Sequence, residues 1–207
     1  IPLAGSFETG AVQPPRKQVM PFSQSSQISA IVQFGEELKP ASILDVGVGM
    51  GQYGFLFRTN LENVGLFDID GAHATWRPKE RWSVRIDGIE GCKDYLTPVH
   101  EFAYNTVTIG DALECLVKIP DRSYEFVIAI DILEHFWKED GWRLLSELAR
   151  VCSRAALIST PKVFHAQEFE ANPLETHRSL WSAEDLAQAG YIKILENGDS
   201  WVATLKR

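Results

Sequence analysis

The chain has 207 residues, with 20 Lys and Arg against 28 Asp and Glu, a net charge of −8. Apolar residues make up 45% and charged residues 23%, so one domain of this length buries enough core to need neither a disulfide nor a structural metal. The acidic balance argues against holding a phosphate backbone, three scattered cysteines against a disulfide framework or zinc knuckle, and the lack of a ~18-residue apolar run against a membrane span.

Residues 1–22 hold four prolines and no clean period, and read as an N-terminal arm. Their position and composition make them a candidate lid. Between 23 and 40, Ile28, Ile31, Val32, Gly35 and Leu38 fall at helical spacing, with serines ahead and Pro40 just beyond. Strands are expected at 42–47, 82–90, 105–110, 125–131 and 155–160, the fourth nearly all apolar as a central parallel strand should be. Helices are expected at 51–61, 139–152 and 182–190. Asn197-Gly198-Asp199 then separates two short strands, and Asn-Gly is expected to supply the positive φ angles of a tight hairpin turn. Strand–helix alternation with right-handed crossovers gives a doubly wound α/β sandwich. Residues 23–207 form one domain, with an insertion at about 62–81 and a long loop at about 161–182. No basic segment followed by an apolar one opens the chain, so no secretory leader is expected and the expected location is cytoplasmic.

The most informative stretch is ILDVGVGMGQYGF at 43–55. An apolar strand runs into Gly47, Gly49 and Gly51 and then into a helix, which lets the backbone turn sharply and approach a ligand. Asp45 lies two residues before the first glycine, a poor neighbour for a pyrophosphate but tolerable to an ammonium or sulfonium. GMGQYG at 49–54 also matches the dinucleotide fingerprint G-x-G-x-x-G, so a nicotinamide-dependent oxidoreductase is a rival. Glu90, at the tip of the second strand, is placed to accept both ribose hydroxyls. Asp111, 21 residues later, is placed to accept an adenine amino group, with the Ala112 N–H as a donor. Asp70 is the alternative ribose acid.

ILDVGVGMG, IDGIE, IGDA, FVIAIDILEHF and AALISTP together resemble class I S-adenosylmethionine-dependent methyltransferases, in particular small single-domain ones with D-x-x-E-H after the fourth strand. The resemblance runs from about Ser42 to the C-terminus. It implies a Rossmann-like seven-stranded sheet of order 3-2-1-4-5-7-6 with strand 7 antiparallel. It also implies S-adenosylmethionine as cofactor and S-adenosylhomocysteine as product. Asp45, Gly47, Gly49 and Gly51 would carry the methionine moiety, Glu90 the ribose, and Asp111 and Ala112 the adenine, with Asp131 by the methionine end.

Methyl transfer is chiefly a matter of positioning, so no obligatory catalytic side chain is expected. His135 is the best base by its ordinary pKa, with Glu134 to orient it or bind substrate. Both residues equally suit a plain helix-capping role. A metal held by Asp131, Glu134 and His135 fits no strong spacing, and none is expected. In the 161–182 loop, His165, His177, Arg178 and Trp181 are candidates for acceptor contact, Arg178 as a clamp for carboxylate or phosphate. The expected activity is methyl transfer to a small molecule, with oxygen favoured. The alternatives are a cofactor-binding but non-catalytic partner protein and the oxidoreductase.

Overall fold

The computed structural model describes residues 23–170 and 172–207. The expected arm and lid at 1–22 lie outside the described residues. A 3-10 turn at Ser25–Gln27 leads into α1 (Ile28–Leu38), which ends at Lys39 in the left-handed region, one residue before Pro40. There follow β1 (Ser42–Val46), α2 (Gln52–Phe57), β2 (Phe67–Asp70) and β3 (His73–Trp76). The next elements are β4 (Arg85–Glu90), α3 (Pro98–Ala103), β5 (Thr106–Ile109), α4 (Ala112–Leu116) and β6 (Tyr124–Ile130). The chain ends with α5 (Lys138–Val151), β7 (Cys152–Pro161), α6 (Ala183–Gln188), β8 (Lys193–Leu195) and β9 (Ser200–Lys206).

Seven strands form one mixed sheet in the order β5-β4-β1-β6-β7-β9-β8. The first five are parallel, and β9 runs antiparallel to both β7 and β8. Counted along the sheet-forming strands alone, the order is 3-2-1-4-5-7-6 with the seventh antiparallel. Successive side chains of a strand face opposite sides. Leu44 and Val46 therefore join the core beneath α4, α5 and α6, with Leu144, Leu145 and Leu148. Ile43 joins the opposite core with Ile31, Phe34, Phe57 and Tyr104.

Residues 62–81 carry the separate antiparallel pair β2–β3. Its base is fixed by Arg58, which is fully buried in a π-helical turn at Arg58–Glu62. The guanidinium donates to the carbonyls of Ala103 (2.9 Å) and Val84 (2.6 Å) and to Asn105 Oδ1 (2.8 Å), and lies 3.9 Å from the Trp82 ring centre. The Asn197 turn differs from expectation. Neither Asn197 nor Gly198 adopts a positive φ. Four residues separate the strands, and Asn197 Oδ1 accepts from the N–H groups of Asp199 (3.0 Å) and Ser200 (2.9 Å), so its side chain shapes the turn. Among the described residues, no helix is long and apolar enough to cross a membrane.

Candidate functional site

β1 lies between β4 and β6. The chain steps from β1 outward to β4 and β5 on one side, and to β6 and β7 on the other. The carboxyl ends of parallel strands at such a switch point leave a crevice for ligands. A cavity of about 910 Å³ opens there, lined by Gly47, Gly49, Glu90, Asp111, Ala112, Asp131, Glu134, His135, His165, His177 and Arg178 among others.

The glycine loop forms its floor. Gly47, Gly49 and Gly51 have φ of 79°, 52° and 84°, a region where a Cβ is strained. A Cβ on Gly47 would also sit 2.7 Å from Ile132 Cδ1. The N–H groups of Gly47 and Val48 donate to the Ile89 carbonyl at 2.9 and 3.2 Å, and Gly49 N–H donates to Glu90 Oε2 at 2.8 Å. His100 Nε2 lies 3.0 Å from the Gly49 carbonyl, while its Nδ1 accepts from Thr97 N–H, so Nε2 carries the proton.

Glu90 ends β4 and its other oxygen accepts from Cys92 N–H at 2.8 Å. Burial raises its pKa, opposed by these backbone donors. Asp111 caps α4 by accepting from Glu114 N–H at 3.0 Å, beside Ala112. Asp131 follows β6 with a φ of 51°. It accepts from Ser159 Oγ (2.6 Å), Gln27 Nε2 (2.6 Å) and Gln24 N–H (3.2 Å), which ties the start of the described chain over the cavity.

Three sequence-selected residues stand off the cavity wall. Asp45 is 2% exposed and accepts from Tyr104 Oη at 2.6 Å, because strand alternation turns it into the α3-side core. Burial pushes its carboxyl up to about 7. Gly51 packs against Val99 and His100. Trp181, expected beside an acceptor, is 1% exposed and fills the space over Gly141, edge-on to Trp142 and under the Lys138 ammonium. Its indole N–H donates to Ser179 Oγ at 2.8 Å, so the ring packs the loop to α5.

The far wall comes from the segment after β6 and the 161–182 loop. Glu134 is 4% exposed and accepts from Thr160 Oγ1 at 3.1 Å. Burial, then the Asp131 charge, holds its pKa well above the carboxylate range. The His135 and His177 rings meet edge to face, centres 4.9 Å apart. Burial, then His177, pushes His135 down to about 4, so the imidazole is neutral at pH 7. Glu134, His135 and His177 place one ligand-type atom each within 4.8 Å of the others. The trio differs from the Asp131–Glu134–His135 set considered above, because Asp131 is already occupied by Ser159, Gln24 and Gln27. Arg178 lines the cavity, but its guanidinium donates to the carbonyls of His135 (2.6 Å), Thr176 (3.1 Å) and Pro173 (2.8 Å), which anchors the loop.

Tyr104, His100, Gln24 and Gln27 escaped the sequence reading. The first two lie in a stretch without a motif, and the glutamines look like helix surface. Among the described residues, the cavity wall carries seven carboxyl groups (of Glu90, Asp111, Glu114, Asp131, Glu134, Asp140 and Glu175), Glu134 among them held towards its protonated form, against two guanidinium groups. That field favours a cationic guest over a diphosphate.

No family model matches the chain. A search of curated proteins also finds no match. Solved structures do match. A SAM-dependent methyltransferase from Archaeoglobus fulgidus has a TM-score of 0.59 at 14% identity, over 87% of this chain and 93% of that one. The N-terminal domain of EvdMO1 with SAH bound has a TM-score of 0.58 at 18% identity, over 89% and 82%. Magnesium protoporphyrin IX methyltransferase from Synechocystis with bound SAH has a TM-score of 0.57 at 15% identity, over 87% and 82%. In strand order and in the antiparallel seventh strand, this chain has the Rossmann-like fold of the class I methyltransferases.

Proposed function

We propose that the chain is an S-adenosylmethionine-dependent methyltransferase that acts on a hydroxyl of a small molecule. The observation that carries this reading is the convergence of the glycine loop, Glu90 and Asp111 on one acidic cavity at the switch point of the sheet. The residues present fit the cofactor. The bare glycine backbone leaves room for a close approach, Glu90 offers a carboxylate for ribose hydroxyls, and Asp111 with the Ala112 N–H offers an acceptor and a donor for adenine. Asp131 supplies negative charge towards an amino-acid moiety. Asp45 contributes from beneath, by holding Tyr104, whose hydroxyl also accepts from Gly54 N–H at 3.1 Å and so fixes the start of α2.

When bound, the sulfonium supplies the methyl group, the C–S electron pair staying on sulfur as the C–O bond forms and the hydroxyl proton passes to solvent. Gly47, Gly49 and Glu90 hold the donor end. Glu134, His135 and His177 form the polar wall where an acceptor hydroxyl docks. His135, neutral at pH 7, accepts a hydrogen bond from that hydroxyl and so raises the electron density on oxygen. Arg178 positions this wall through its backbone contacts, and Gln24 and Gln27 narrow the opening to water.

The test is turnover. Methyl-labelled donor is incubated with a panel of small alcohols, hydroxy acids and sugars. The expected result is label on an acceptor oxygen with one S-adenosylhomocysteine formed per methyl moved. Saturable cofactor binding with no transfer across the panel, or transfer only to nitrogen, would count against the reading.

A further inference from the structure

We infer that Glu134, His135 and His177 form a site for a divalent transition-metal ion at the acceptor end of the cavity. One carboxylate and two imidazoles, each offering one ligand atom, already lie within 4.8 Å of each other. Rotamer adjustment closes that spacing to the ~3 Å separation set by metal–ligand bonds of ~2.0–2.2 Å. The protonation pattern suits the role. His135 Nδ1 faces the Thr176 carbonyl at 3.4 Å, and His177 Nδ1 faces the His165 carbonyl at 2.7 Å. A carbonyl only accepts, so His177 Nδ1 carries the proton and its Nε2 keeps the lone pair, and the longer His135 contact favours the same arrangement. Backbone partners of this kind are what orient metal-bound histidines.

Charge leads to the same place. Glu134 is buried and, among the described residues, makes no ion pair. A buried carboxylate without a countercharge is costly, and a bound cation would supply it. Arg178, the neighbouring cation, is turned towards three carbonyls. Mixed imidazole and carboxylate donors select zinc, iron(II), cobalt(II) or manganese(II) over calcium. Three protein ligands leave coordination positions open to the cavity, where a hydroxyl and a neighbouring oxygen of the acceptor can bind together. That use of the ion rests on the proposed methyl transfer, and with the ion in place the hydroxyl binds it instead of donating to His135, whose one lone pair is then taken; the site itself does not rest on that reading.

The experiment uses tag-free full-length protein stripped with a chelator. Zinc(II) is titrated by calorimetry, and cobalt(II) is followed by its visible absorption. One ion per chain is expected, with cobalt bands of low-symmetry nitrogen and oxygen coordination. His177→Ala and Glu134→Gln should each weaken zinc binding at least about tenfold. His177 lies on a partly exposed loop, so its variant stays informative if the Glu134 variant fails to fold. No uptake by the folded protein, or uptake unchanged in His177→Ala, overturns the site. S-Adenosylhomocysteine binding measured on the same metal-free sample separates failure of the metal site from failure of the cofactor reading.

Discussion

Asp45, expected from the sequence to meet the ligand, sits one layer below the cavity wall. The motif places a carboxylate two residues before the glycine loop, and the pleat of β1 decides that it points into the core. There it meets Tyr104, and burial raises its pKa from 3.8 to about 7. A folded-state pKa above the unfolded value means that the native chain keeps the proton longer. The stability this contributes is complete below about pH 3.8 and is lost as pH rises through 7. Within that window the slope is at most about 1.4 kcal/mol per pH unit. Glu90, Asp131 and Glu134 are raised in the same direction, whereas His135, pushed down to about 4, contributes stability that grows over the same range, so the Asp45 contribution is read as a difference between variants. Asp45→Asn should remove the Asp45 part, so that between pH 4.5 and 7.5 the thermal midpoint of the variant shifts upward relative to that of the parent protein. Equal changes of midpoint in the two proteins would refute the assigned pKa. Trp181 was illegible for a related reason. An aromatic residue in a loop reads equally as a ligand contact or as packing, and only the space over Gly141 decides between them.

Among the elements, the parallel strands were the easiest to read. β6 is apolar on both faces because both are covered, and its run has no other explanation in a chain of this length. The glycine loop was legible because its positive φ angles favour glycine, and Glu90 and Asp111 were legible as positions at the carboxyl ends of strands that border the cavity. Turn geometry was harder, since Asn-Gly fits several turns and Asn197 uses its side chain in place of a positive φ. The 62–81 segment was legible as an insertion but not as a hairpin, because β2 and β3 are short and largely exposed and so carry no burial period. Its attachment depends on Arg58, which no pattern marks. Arg58→Ala would leave the Val84 and Ala103 carbonyls and Asn105 Oδ1 without their donor. The expected cost is roughly 3 kcal/mol or more, read from the urea midpoint at unchanged m-value. A cost below about 0.5 kcal/mol, the range of ordinary surface substitutions, would show that the anchor contributes little.

At the scale of the whole molecule, the net charge of −8 is not spread evenly in its effect. Seven carboxyl groups converge on the cavity at the switch point of the sheet. The sheet order places the glycine loop between Glu90 on one neighbouring strand and Asp131 on the other, so one crevice brings together Gly47 and Asp131 from distant parts of the sequence. The fold alone is shared with methyltransferases of 14–18% identity, and fold does not settle chemistry. On the proposed reading, the charge pattern on this wall is what separates a sulfonium nucleoside from a dinucleotide. The most direct measurement is calorimetric titration of the protein with S-adenosylhomocysteine and, separately, with NAD. Saturable one-to-one binding of S-adenosylhomocysteine, weakened about tenfold or more by Glu90→Ala, with no comparable binding of NAD, is the predicted result. Tighter binding of NAD, or S-adenosylhomocysteine affinity unchanged in Glu90→Ala, would contradict it.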